Sequence, residues 1–106
     1  MAKYLIQASY TAEGVRALQK DKASGRGQAV RKAVESLEGK VEAVYFALGE
    51  HDLVSIVDLP DIVSLAALSL TVSATGLVRI KSTALLSVED FDRAIMKKID
   101  YRAPGA

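Results

Sequence analysis

The sequence predicts an α+β domain in which helices cover one face of a four-stranded antiparallel sheet. Three observations lead there. Four stretches read as strands, the first alternating Tyr4, Ile6, Ala8 and Tyr10 with Leu5, Gln7 and Ser9. Three stretches carry helix signals, with a capping residue or a first-turn acid at their starts. Only the turn "GEHD", Gly49 to Asp52, separates strands two and three. The order is β-α-β-β-α-β-α, a split βαβ, ferredoxin-like plan with one added C-terminal helix.

Each element has its own grounds. Strand one spans Tyr4–Tyr10, and Thr11 caps the helix that follows, with Glu13 at the positive end of its dipole. The stretch from Ala12 to Leu37 is long for one uninterrupted helix. "ASGRG", Ala23 to Gly27, is the expected break, since Gly costs about 1 kcal/mol relative to Ala inside a helix. Beyond it Ala29, Val30, Ala33, Val34 and Leu37 form an apolar stripe, and Gly39 is the expected stop. Strand two is Lys40–Leu48, with Val41, Ala43, Tyr45 and Ala47 on one face. Strand three is Leu53–Leu59. Pro60 and Asp61 open the second helix, which runs to about Ala74 and ends at Gly76. Strand four is Leu77–Leu86. Ser87 caps the last helix, with Asp90 at the capping-box position. That helix is expected to turn Val88, Phe91, Ile95 and Ile99 inward, with Lys97 and Lys98 near its end. Residues 1–100 read as one domain and 101–106 as a tail.

Composition narrows the function classes. A chain of 106 residues can bury one real core. A formal charge of +1 gives no long-range pull toward nucleic acid or an anionic membrane. No cysteine is present, which rules out disulfides, thiolate metal sites and cysteine nucleophiles. One histidine and no cysteine make a transition-metal site an unexpected feature. The N-terminus lacks the apolar run of a signal peptide, and "IVSLAALSLTVSATG" is short for a membrane span. The expected location is the cytoplasm.

The faces of the elements speak to assembly. In the second helix Ile62, Val63, Leu65, Leu68, Leu70 and Val72 circle nearly the whole axis, so it is expected to be buried on two sides. The sheet covers one side, and the C-terminal helix or another subunit covers the rest. On the sheet, Tyr45, Leu53, Val57 and Ile80 are expected on one face. Gln7, Ser9, Arg79, Lys81 and Thr83 have the parity of the other, mixed face. A mixed face half closed by a partner makes a small pocket.

Several side chains are candidates for chemistry. His51 beside Asp52 has the composition of a general base with its orienter, although adjacent residues in a turn usually point apart. The plainer reading is a hairpin turn, eased by Gly49, with Asp52 bonding local backbone N–H groups. Arg26 lies in "SGRG" near a helix start, where free N–H groups attract anions. Arg79 and Lys81 alternate on strand four; they can hold a carboxylate, pair with Glu42 or Asp58, or stand in water. Tyr10 completes the set of possible ligand contacts.

From "YLIQASYTAEGVRAL" through "SLEGKVEAVYFALGEHDLVSIVDLPD" to "GLVRIKSTALLSVEDF" the chain resembles the GYD-domain family. The family's Gly-x-Tyr-Asp turn is here Gly49, Glu50, His51 and Asp52, with His51 in place of the tyrosine. The resemblance implies a dimeric α+β barrel, in which two ferredoxin-like sheets pack face to face. It implies fold and assembly more than an activity. A weaker resemblance is to the ligand-sensing domain of Lrp/AsnC-type regulators, which bind amino acids at subunit interfaces. The resulting expectation is a cytoplasmic homo-oligomer that binds a small anionic or aromatic ligand or another protein, without a cofactor. The alternative is a cofactor-free monooxygenase or isomerase of the dimeric α+β barrel kind. Its candidate groups are His51, Asp52, Arg79, Lys81 and Tyr10.

Overall fold

Four antiparallel strands form the sheet; counted along the chain, they lie side by side in the order second, third, first, fourth. The computed structural model describes residues 1–106. In chain order the elements are β1 (Ala2–Tyr10), α1 (Ala12–Ser36), β2 (Lys40–Phe46), β3 (Leu53–Leu59), α2 (Ile62–Ser73), β4 (Val78–Leu85) and α3 (Val88–Met96). This is the expected ferredoxin-like order, with α3 added after β4.

The two-residue period of the strands sets the core. Register pairs Tyr4 with Val57, Ile6 with Ser55 and Ala8 with Leu53, so these side chains share one face. Tyr4, Ile6, Val41, Val57 and Leu59 meet Val34 of α1 there, and Val57 and Leu59 are 0% exposed. Ser55 is also buried, and its hydroxyl donates to the Ala43 carbonyl oxygen at 2.8 Å, so no polar atom is stranded.

The predicted caps form. The Thr11 hydroxyl accepts from the Gly14 N–H at 3.1 Å, the Asp61 carboxylate from Ser64 at 2.8 Å and the Ser87 hydroxyl from Asp90 at 3.0 Å. The backbone bond from Ser64, helped by that residue's hydroxyl, holds the Asp61 carboxyl below the usual range. Asp90 does not complete a capping box; its carboxylate engages Arg93.

Four local expectations are corrected. The break in α1 falls at Lys22, with φ 64° and ψ 167°, and Ala23 to Gly27 are helical. Propensity is a weak prior, and packing of Val30 and Val34 against the core holds the second piece helical despite its two glycines. At the end of α1 the left-handed residue is Glu38, φ 62°, not Gly39. The Glu38 N–H donates to Glu35 at 2.9 Å and the Gly39 N–H to Val34 at 3.0 Å, a Schellman motif. Gly39 is needed for a different reason: a Cβ there would stand 2.5 Å from the Asp58 carbonyl oxygen and 2.7 Å from Leu59 Cδ2.

The third correction is a bulge. Val41 pairs with Val57, but Ala43 pairs with Ile56, so Glu42 is an extra residue. The alternation of β2 flips there. Val41 faces the helices, whereas Ala43 and Tyr45 face the other way, and Tyr45 does not share a face with Leu53, Val57 and Ile80.

The fourth concerns α3. It ends at Met96, before Ile99, and its apolar stripe does not turn inward: Val88 is 76%, Phe91 57% and Ile95 67% exposed. The Cα radius of gyration is 16.9 Å, against about 13 Å for a compact chain of this size. Nor does α3 cover α2, which has no buried residue and leaves Ile62, Val63 and Leu70 exposed. No helix is long and apolar enough to cross a membrane.

Candidate functional site

The strand residues between the core positions point away from both helices. Register sets Ser9 opposite Arg79 and Gln7 opposite Lys81 on β4, and Gln7 opposite Val54 and Leu5 opposite Ile56 on β3. The expected mixed face therefore exists: Leu5, Val54 and Ile56 stand beside Gln7 and Thr83 at its middle, with charged groups toward its two ends.

The two ends differ in charge. At one end Lys3 Nζ lies 2.6 Å from Glu42 Oε1 and 3.0 Å from Asp58 Oδ1. These bonds, that to Glu42 foremost, raise the lysine above its ordinary value. Lys3 thereby takes both carboxylates that the sequence offered to Arg79 and Lys81. At the other end Arg79 and Lys81 enter no ion pair. With Ser9, His51 and Ile80 they line an open pocket.

His51 is half-buried there, its Nδ1 3.1 Å from Ser9 Oγ. The β2–β3 turn carries it to this place. The Asp52 N–H donates to the Ala8 carbonyl at 2.8 Å, and the Asp52 carboxylate accepts from the Tyr10 N–H at 2.8 Å. Asp52 thus anchors the turn to β1, a contact far along the chain rather than a local one, and it does not orient the imidazole. Gly49 is not what makes the turn possible, since a Cβ there would meet open space and its φ is not positive.

Of the sequence candidates, His51, Arg79 and Lys81 come together. Asp52 supports them from behind. Tyr10 and Arg26 do not join: Tyr10 has the core parity, opposite Val78, and both side chains line a cleft on the helix side of the sheet. Ser9, on the mixed face by its parity, joins His51, Arg79 and Lys81. Its signal is the strand register, which puts it across from Arg79.

The chemistry available is plain. A hydroxyl–imidazole pair stands beside a guanidinium and an ammonium, both free to bond an anion. No three His, Cys, Asp or Glu side chains are gathered as a metal site would need.

No curated protein and no solved structure matches the chain. The GYD domain family matches residues 4–95, from β1 into α3, and includes the turn that delivers His51. With that span, and with the sheet order and hairpin described, the chain belongs to the GYD domain family.

Proposed function

We propose that this chain is a cytoplasmic, oligomeric module that binds a small anionic compound on the helix-free face of its sheet. A second copy closes over that face, as in a dimeric α+β barrel. The observation that carries the reading is the convergence of Arg79 and Lys81, free of any carboxylate partner, on the Ser9–His51 pair. Two unpaired cations beside two further hydrogen-bonding groups suit a carboxylate or phosphate group. Closure by a second copy is supported by apolar surface on that face: Tyr45 is 71% exposed there, beside the partly exposed Leu5, Val54 and Ile56. Closure would also turn an open pocket into an enclosed one, where such contacts are stronger.

A second reading rests on the 3.1 Å separation of Ser9 and His51. It makes the pocket a cofactor-free catalytic site, with His51 as general base. Asp52 is committed to the Tyr10 N–H and gives His51 no orienting partner, so binding is the better supported of the two.

The test is thermal unfolding across a series of small carboxylates and phosphates at fixed ionic strength. Binding predicts a saturable rise in Tm for at least one anion, lost in Arg79→Ala and Lys81→Ala. No rise beyond that given by equal chloride contradicts it.

A further inference from the structure

The helix side of the sheet holds a concavity separate from the Ser9–His51 pocket. It lies between the two helices and the sheet, with about 580 Å³ of empty space, part of it continuous with solvent. Its inner lobe is walled by Ala29 and Ala33 of α1, Leu68 and Val72 of α2, and Ile6 and Ile80 of the sheet. The sequence explains the space: α1 turns alanines toward the sheet where larger side chains would fill the gap. Only Tyr10, Arg26 and Ser55 are polar among the lining residues, and the Ser55 hydroxyl is already bonded to Ala43. Arg26 is therefore the one charged group on the inner lobe.

A more polar outer lobe shares Tyr10, Arg26, Val72 and Val78 with the inner one and adds Asp21, Thr71 and Thr75. Arg26 stands where the two lobes meet. Its guanidinium is 3.7 Å from the Asp21 carboxylate, and the two side chains are 31% and 53% exposed. A partly exposed pair at that distance is weak and uses little of a five-donor group.

We infer that this cleft binds an alkyl carboxylate, with the chain in the inner lobe and the carboxylate on Arg26 at the junction. The inference is independent of the open-face pocket, which lies across the sheet. An apolar lobe favours a hydrocarbon tail. The fork of Arg26 fits a carboxylate in two parallel bonds, on the edge not facing Asp21. A cationic head group finds no acid in the inner lobe and meets the guanidinium at its exit.

Titration of ¹⁵N-labelled protein with decanoate, 1-decanol and decyltrimethylammonium tests this. Decanoate should shift the amides of Ala29, Ala33, Val72 and Ile80 to saturation and bind about tenfold or more tighter than decanol. Arg26→Gln should erase that preference while decanol still binds. Ala33→Leu should weaken both by filling the lobe; Ala29→Leu does the same if Ala33→Leu fails to fold. Equal affinity for decanoate and decanol, or preference for the cation, would overturn the inference. So would decanoate shifts confined to Ser9 and His51, which would favour the open-face site instead. Cleft shifts that follow protein concentration without any amphiphile would also overturn it, by showing that a second copy fills the cleft.

Discussion

The two faces of this sheet are built by the same strands, yet they solve different problems. On β3, Leu53, Ser55, Val57 and Leu59 are between 0 and 3% exposed beneath the helices, while Val54, Ile56 and Asp58 between them remain half-exposed. The helix face holds the buried core within one chain, beside the cleft between α1 and α2. Its one buried polar side chain is bonded, and its caps and Schellman motif satisfy the ends of α1. The other face pairs apolar residues at its middle with free cations at one end. Stability is expected to reside on the first face, around the cleft at Arg26, and association and the binding of small anions on the second.

Substitutions can break or sharpen that contrast. The largest effect is expected on the helix face: Leu59→Ala should cost about 3 kcal/mol in a denaturant melt, since it opens a cavity in a fully enclosed site. Ile56→Glu, from the open face, should leave the far-UV circular dichroism unchanged. It should weaken self-association at least tenfold, because an unpaired carboxylate at an apolar contact is costly. Unfolding by Ile56→Glu with no change in association would merge the two faces into one core. His51→Ala should change stability by less than about 1 kcal/mol, as a half-buried turn residue should. A loss of several kcal/mol would make the turn part of the core. The smallest effect is a gain at the helix-face seam between α1 and β2. Glu38→Gly should stabilise the fold by about 0.5 kcal/mol, as relief of the left-handed conformation outweighs glycine's entropy cost.

The fold was legible because local signals agreed with one another. The alternation of β1 and β3, the caps Thr11, Asp61 and Ser87, and Gly76 with φ 73° at the end of α2 all stand where the sequence puts them. The errors arose where tertiary contact decides. Nothing in the residues of β2 announces the bulge at Glu42, yet it reverses Tyr45. Lys22 takes the backbone strain that the nearby glycines could bear at less cost. Gly39 was found at the right place, but its cause is the approach of Asp58 and Leu59, 19 and 20 positions along the chain. The amphipathic pattern of α3 is real, but a pattern cannot say what it faces.

The site was half legible. Parity puts Arg79 and Lys81 on the mixed face, but that the turn brings His51 to them depends on the bonds of Asp52 to Ala8 and Tyr10. That Lys3 would take Glu42 and Asp58, leaving those cations free, depends on register between three strands. The separation of Tyr10 and Arg26 onto the opposite side follows from the same register and from the restart of α1 after Lys22.

Native mass spectrometry at low micromolar concentration tests the central claim, that a second copy covers the helix-free face. The account predicts a species of at least twice the 11.3 kDa chain mass, reverting toward one chain in Ile56→Glu. A wild-type protein found only at the mass of one chain would contradict it.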